Sequence, residues 1–498
     1  MADLKSHRRS PEAWLLVVVV SLSLSAGAGQ AASVTAQSKS VDPASGPPRI
    51  GLNFIRFFWS ESRDGRLNTT TPYFQPDSIF RDFADLGVQA FRQFVRADLL
   101  WNAVEPNPGR WNWEAADAVI KTTTFEPIVT LFSMQYASPT PPWARRPEEF
   151  QRTLGPEALD YLETVVRRYA PYVKYWEIGN EMDHWRISDP NDKGPAGARA
   201  GAVPAAKPAR AGLPPRSGQL QQGGQNIREQ MAERLPDAFP DSQYTPQEQG
   251  RFLAQAAAII RKNDPDAVIV LPGVSAPDEY CAETWLRGVI EGGGKDWFDI
   301  VNYHYYPSWE RYSFMREQFA ASLKRMGLDG KPVWLTETGA TSSATLTLRT
   351  NYPNSATSQA ADVFRRIVQA FGHGDAFVAW HTYIGSSETA GNWRAYGIRA
   401  ATGEAKPALA AFRLLTHELI PFARVEKISA DARGVNAYKA VLKDGGVKYV
   451  VWGQGSFKVP AGVTQMTAAA PDAAGNFEWK PAVSQASLTL SSIPTLLK

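Results

Sequence analysis

A single cysteine, Cys281, stands in a chain of 498 residues. One thiol cannot form an intramolecular disulfide, and a four-ligand cysteine zinc site is excluded with it. The expected role of Cys281 is that of a buried, inert thiol. Charge of one sign is lacking too, because 53 Lys and Arg face 50 Asp and Glu, a net of +3. That surplus is too small to imply a nucleic-acid or anionic-membrane partner. The six histidines include no His-Glu-x-x-His, and there is neither a Walker glycine loop nor a dinucleotide fingerprint. Ser275 and the other serines lack a nucleophile-elbow context. No metal and no cofactor is expected. Long apolar runs are scarce: only Trp14–Leu24 stands out, short of the about 20 residues that a membrane span takes.

That run has a recognisable setting. Lys5, Arg8 and Arg9 precede it, and Ala26-Gly27-Ala28 and Gln30-Ala31-Ala32 follow. Basic, apolar and small residues in this order read as a secretory signal over residues 1–31, with an uncleaved N-terminal anchor as the rival. The Ser/Ala/Pro-rich stretch at 32–48 reads as a linker. Export without cysteine pairs fits a secreted or periplasmic bacterial protein. The 16 Trp and 17 Tyr suit sugar rings, but they suit plain cores equally.

From Arg49 onward, short apolar runs alternate with longer helical patterns, the rhythm of βα units. Candidate strands are Ile50–Phe54, Ala90–Phe94, Pro127–Phe132, Val173–Ile178, Ala267–Leu271, Phe298–Tyr303, Val333–Thr336 and Ala376–Trp380. Eight in this order predict an α/β fold, a (β/α)8 TIM barrel over 49–419. Pro76-Asp77-Ser78 opens one helix, Gln247–Lys262 is apolar at helical spacing, and Lys406-Pro407-Ala408 starts another. Residues 187–242 break the rhythm with Gly, Ala, Pro and Gln, and are expected to form a long, mostly disordered insertion rather than a lid. Beyond Leu419 the period changes to two, with a turn at Asp444-Gly445-Gly446. Residues 420–498 are expected to form a small antiparallel, sandwich-like accessory domain.

Two segments carry chemistry. Tyr175-Trp176-Glu177-Ile178-Gly179-Asn180-Glu181-Met182-Asp183 delivers Glu181 just past a strand. Pro332-Val333-Trp334-Leu335-Thr336-Glu337-Thr338-Gly339 delivers Glu337 in the same way. On a parallel barrel, the carboxyl ends of the strands form the active-site face. Two carboxyls there can flank a glycosidic bond, one protonating the leaving oxygen while the other attacks C1 or activates water. Asn180 is a neutral donor suited to a sugar hydroxyl. Glu177 shares a face with Glu181 one layer down, where a buried charge needs a partner, so a structural ion pair is expected. Among the tryptophans on or near strand-end loops, Trp143 and Trp185 are candidate stacking surfaces, with Trp59, Trp101, Trp309 and Trp393 as weaker members of the set.

These segments resemble clan A of the glycoside hydrolases, a likeness spanning roughly Arg49 to Leu419. Trp176-Glu177-Ile178-Gly179-Asn180-Glu181 is similar to the acid/base segment of family 39. Gly179-Asn180-Glu181-Met182-Asp183 is similar to family 51, but the nucleophile segment here, Thr336-Glu337-Thr338-Gly339, does not match that family well. The resemblance implies that Glu181 is the acid/base and Glu337 the nucleophile of a retaining double displacement. It also implies that Arg92 lies near the nucleophile, and that His304 or Tyr306, in Val301-Asn302-Tyr303-His304-Tyr305-Tyr306-Pro307, bonds it. Trp380 would floor the sugar subsite, with a buried core tryptophan as the equal alternative.

The expected reaction is hydrolysis of a β-linked poly- or oligosaccharide. Transglycosylation by the same glutamates and a non-catalytic carbohydrate-binding barrel are the rivals. The sugar, the linkage, exo or endo action and the oligomeric state cannot be read from the sequence.

Overall fold

The apolar runs fold as the alternation implies. The structure, a computed structural model, describes residues 49–53, 55, 57, 74–93, 99–132, 143–144, 155–184, 245–275, 277, 281–343, 354–387, 395–430, 434–472 and 475–498. The expected signal, linker and 187–242 insertion therefore lie outside the described residues, as do Trp59, Trp185 and Trp393.

Eight parallel strands follow one another: β1 Ile50–Asn53, β2 Ala90–Gln93, β3 Glu126–Leu131, β4 Tyr175–Ile178, β5 Val268–Val270, β6 Val301–Tyr305, β7 Val333–Thr338 and β8 Phe377–His381. Their order in the sheet is β5-β4-β3-β2-β1-β8-β7-β6. Parallel bridges Val270–Ile300 and Val274–Tyr303 join the two outer strands and bring the sheet round into a barrel. Every expected strand is found in its expected place.

Helices return the chain between strands: α1 Pro76–Asp85, α2 Trp101–Val104, α3 Glu114–Ile120, α4 Pro156–Tyr169, α5 Pro246–Asn263, α6 Cys281–Gly293, α7 Tyr312–Arg325, α8 Ala356–Gly372 and α9 Pro407–Leu419. Their starts are written locally. Proline opens α1, α4, α5 and α9, where its missing N–H would have no partner anyway. Thr245 with Glu248, and Ser355 with Ser358, form reciprocal caps at the starts of α5 and α8.

Two apolar layers result from the alternation of strand side chains. One fills the space between sheet and helices, with Leu52, Phe91, Val129, Trp176, Ile269, Leu335 and Trp380 among its members. The other lies inside the barrel: Ala90, Ile128, Tyr175, Val270, Ile300, Trp334, Phe377 and Ala379. Two residues further along the same strands stand Arg92, Thr130, Glu177, Asn302, Thr336 and His381, all buried and polar. The barrel thus has an apolar floor with a polar layer directly above it.

After α9 come β9 Phe422–Ala430, β10 Val435–Leu442, β11 Val447–Gly453, β12 Ser456–Lys458, β13 Gln465–Ala468, β14 Lys480–Pro481, β15 Ser487–Thr489 and β16 Thr495–Leu497. Six of them form a sheet in the order β14-β13-β16-β11-β10-β9, while β12 and β15 pair separately. At the β10–β11 turn, Gly445 has φ +87° and the Asp444 carboxylate accepts from the Gly446 N–H at 2.9 Å. One face of the large sheet, with Tyr438, Val450, Trp452 and Leu496, joins the core beside the barrel helices. Its other face, with Ala437, Val451 and Leu497, packs on Val459, Val463 and Leu490.

Candidate active site

The polar layer is organised by Arg92, which is fully buried at the end of β2. Its Nε and Nη2 donate to the two oxygens of Glu177 at 2.5 and 2.8 Å. Nη1 reaches Glu337 Oε1 at 2.7 Å, and Nη2 also reaches Asn180 Oδ1 at 2.7 Å. Burial alone would disfavour the guanidinium charge, but Glu177 and then Glu337 outweigh it and push the Arg92 pKa further up. Glu177 also accepts from Thr130 Oγ1, Asn302 Nδ2 and the Gly273 N–H at 2.9, 2.9 and 3.2 Å. Its carboxylate is fully committed to protein partners and fully buried, which makes it the structural ion pair expected for it.

Glu337 reaches the cavity through a local irregularity in β7. The pairing with β6 steps from Tyr303–Leu335 to His304–Glu337, and the pairing with β8 steps from Leu335–Val378 to Thr338–Trp380. One extra residue in β7 relative to both neighbours is a bulge, and it turns Thr336 and Glu337 towards the same interior. Strict alternation would send one of them out to the helices. The Glu337 carboxylate then receives the Tyr306 hydroxyl on Oε2 at 2.5 Å, with His304 Nδ1 at 3.6 Å and His381 Nδ1 at 3.9 Å. Burial opposes its charge. His304, His381 and Arg92, together with the Tyr306 bond, prevail and hold its pKa well below the usual carboxylate range. Burial and the adjacent Glu337 charge push the Tyr306 phenol well above its ordinary value, so its proton stays on to be donated.

Glu181 meets the same nitrogen of His304 that faces Glu337, its Oε1 2.8 Å from Nδ1. Its backbone has φ +47°, and its N–H donates to the Gly273 carbonyl at 3.1 Å. Its side chain is 23% exposed against 5% for Glu337, so it is the carboxyl open to solvent. The hydrogen bonds behind His304 run in one direction. Asn302 gives its Nδ2 protons to Glu177, so its Oδ1 accepts from Thr336 Oγ1 at 2.8 Å. Thr336, with its proton so used, accepts from His304 Nε2 at 3.2 Å. His304 Nδ1 therefore faces Glu181 Oε1 at 2.8 Å with one proton between them. Burial lowers the His304 pKa, but Glu337 and then the bond to Glu181 raise it above the ordinary histidine value. Gly273 makes this seat: a Cβ there would meet His304 Nε2 at 2.0 Å.

The structure thus gathers Arg92, Asn180, Glu181, His304, Tyr306 and Glu337 into one cluster. It resolves the choice left open between His304 and Tyr306, since Tyr306 bonds Glu337 while His304 bonds Glu181. Trp380 is not brought in. It is fully buried in the layer between sheet and helices, and its indole N–H donates to the Tyr396 carbonyl at 3.0 Å. The inward position belongs to its neighbour His381. Trp143 is partly exposed on the loop after β3, edge-on to Trp101 at 5.9 Å, its N–H directed to the Glu105 carbonyl. Asn53, Thr130, Asn302, Thr336 and His381 belong to the polar layer and were not selected from the sequence. Their only local signal is a polar side chain on an inward position of a strand whose preceding inward residue is apolar or glycine.

One ligating atom each of Glu181, His304 and Glu337 lies within 4.8 Å of the others, a spacing that a cation can bridge. The fixed Arg92 charge 2.7 Å from Glu337 works against one there. Two carboxyls this close can also flank one glycosidic bond.

The barrel, its paired strand-end glutamates and the similarity of the sequence define a glycosidase. Residues 216–411 match the family model described as glycosyl hydrolase catalytic core, a stretch that contains His304, Tyr306, Glu337 and His381. No curated protein sequence matches the chain. Among solved structures, a family 39 glycoside hydrolase from the gut symbiont Bacteroides cellulosilyticus WH2 is similar, at TM-score 0.57 and 16% identity, over 91% of this chain and 80% of that one. The alpha-L-arabinofuranosidase of Thermotoga maritima is similar at TM-score 0.53 and 13% identity, over 90% and 96%. A family 39 beta-xylosidase from Caulobacter crescentus gives 0.51 and 13%, over 90% and 95%. At such identities the likeness is one of fold.

Proposed function

We propose that this protein is a retaining glycoside hydrolase of clan A, similar to family 39, that cleaves O-glycosidic bonds of a β-linked oligo- or polysaccharide. The observation that carries the reading is the asymmetry of two facing carboxyls. Glu337 is buried, ionised and fixed by Arg92 and Tyr306. Glu181 is the more exposed and is hydrogen-bonded to His304 Nδ1. One oxygen of each lies within 4.8 Å of the other, in keeping with the about 5–5.5 Å of retaining enzymes rather than the about 6.5–9.5 Å of inverting ones.

In this reading Glu337 attacks C1, the bond from C1 to the leaving oxygen breaks, and Glu181 gives that oxygen its proton. A covalent glycosyl ester on Glu337 results. Glu181 then takes a proton from water, whose oxygen attacks C1 from the face the leaving group vacated, and Glu337 departs as carboxylate. Two inversions leave the anomeric configuration as it was. The Nδ1 of His304, 2.8 Å from Glu181 Oε1, holds that carboxyl in place through both steps. Asn180, with its Oδ1 fixed on Arg92, presents its amide to a sugar hydroxyl, and the partly exposed Trp143 offers a stacking face. We also infer export, supported by the basic, apolar and small-residue order of residues 1–31; N-terminal sequencing of the mature protein tests it.

Reducing-sugar release from a polysaccharide panel, compared with Glu337→Gln and Glu181→Gln, tests the activity. Release that survives Glu337→Gln places the nucleophile elsewhere. Proton NMR of the first product tests the stereochemistry, and an inverted anomer appearing first overturns retention.

A further inference from the structure

The turn that carries Tyr306 is held from outside the barrel by an arginine that touches none of the reacting groups. Arg366, fully buried on α8, fans across the ends of β6 and β7. Its Nη2 donates to the carbonyls of Tyr306 and Pro307 at 3.3 and 2.9 Å. Its Nη1 lies 3.4 Å from both the Tyr305 carbonyl and Thr338 Oγ1. Thr338, next to Glu337, itself donates to the Tyr305 carbonyl at 2.8 Å. One planar guanidinium therefore joins the residue after the nucleophile to the residue that bonds it. A guanidinium can hold such a fan of acceptors, and a single ammonium cannot.

The same helix carries the tie to the C-terminal sheet. Asp362 accepts from Arg366 Nε at 3.5 Å and from Arg365 Nη1 at 2.6 Å. Arg365 in turn donates through Nε to the Ser492 carbonyl, between β15 and β16, at 3.0 Å and stacks over Trp309 at 5.1 Å. Trp309, three residues after Tyr306, meets Trp452 of β11 edge to face at 5.9 Å. The β6 turn is thus gripped between α8 and the β sheet.

We propose that Arg366 is a positioning residue for the Tyr306–Glu337 pair, and that the C-terminal sheet takes part in that positioning through Arg365 and Trp309. The kinetic arm rests on the glycosidase reading, and the exchange arm does not.

The test uses the full chain with Arg366→Met, Arg366→Lys and Arg365→Met, and with Arg413→Met on the exposed face of α9 as control. Two readouts are taken: hydrogen exchange of peptides covering 301–311 and 333–340, and kcat, KM and pH profile on 4-nitrophenyl β-glycosides. Arg366→Met is expected to speed exchange in both peptides. It should also lower kcat roughly 10- to 100-fold with KM little changed, because displacement by about 1 Å is enough for such losses. The acid limb of kcat/KM moves to higher pH as Tyr306 loosens from Glu337. Arg366→Lys recovers part of each, and Arg365→Met moves both readouts the same way by less. Unchanged exchange in 301–311 overturns the proposal even if no glycoside is turned over, a result that would count against the glycosidase reading instead. A lower Tm with wild-type kcat and acid limb overturns it as well, leaving Arg366 a merely structural residue. Wild-type behaviour of Arg365→Met removes the C-terminal sheet from the scheme.

Discussion

The Tyr306 hydroxyl donates to Glu337 Oε2 at 2.5 Å, from the end of one barrel strand to the end of the next. The bond joins a phenol whose proton is held by burial to a carboxylate whose charge is held by its cationic neighbours. It stabilises the free carboxylate. On the proposed mechanism it weakens when Glu337 becomes an ester, so Tyr306 orients Glu337 before attack and receives it again on departure.

Tyr306→Phe removes that bond and keeps the ring. Without it Glu337 leaves the attack geometry, a misplacement that can cost about 100-fold, so kcat/KM should fall roughly 10- to 100-fold. The Glu337 pKa rises towards its ordinary value. Because the active form lies above that pKa, the acid limb of kcat/KM moves to higher pH. A pH–rate profile with its acid limb unmoved would separate Tyr306 from the nucleophile.

His304→Asn gives a larger shift of the same sign. His304 stands ahead of His381, Arg92 and Tyr306 among the influences that lower the Glu337 pKa. Its loss should move the acid limb further than Tyr306→Phe does. It also leaves Glu181 without the imidazole 2.8 Å away, so kcat on poor leaving groups should fall as well, which Tyr306→Phe does not predict. The two profiles measured side by side decide the order.

Much of this site was legible in the sequence because its glutamates end apolar runs, and strand ends of a parallel barrel share one face. Glu181 and Glu337 could be found that way, and Arg92 through the resemblance to clan A. The β7 bulge was not legible. Thr336 and Glu337 are adjacent, period-two reading allows only one of them inside, and the extra residue shows only in the pairing on both sides. Trp380 shows the converse. Its position at the end of β8 is right for a sugar floor, but its parity in the strand sends it outward and His381 inward. Gly273 carries no local signal at all, since its need is set by a histidine 31 positions further along the chain.

Glu177→Gln distinguishes the two glutamates of the β4 segment. Removing one partner of a buried ion pair typically costs about 3–5 kcal/mol, so this variant should lose much of its resistance to urea. Glu181→Gln, partly exposed and outside the Arg92 pair, should lose kcat on poor leaving groups with little change in the urea midpoint. If Glu177→Gln were as stable as the wild type, the Arg92–Glu177 pair would not be the keystone of the polar layer.

Gly273→Ala tests the seat of His304 by steric means alone. The new methyl would lie 2.0 Å from His304 Nε2, so the ring must leave Thr336, and with it the alignment of Nδ1 on Glu181. Overpacking of this kind costs about 1–3 kcal/mol, and kcat should fall to near the level of His304→Asn. The double variant Gly273→Ala/His304→Ala is the informative one. Its methyl has no ring to strike, so it should be more stable than the sum of the single changes allows, while its activity stays as low as that of His304→Ala. Residues in direct contact give such non-additive cycles, and independent ones do not. Urea midpoints and kcat for the four proteins measure the coupling, and strict additivity in stability would mean that Gly273 and His304 do not touch as described.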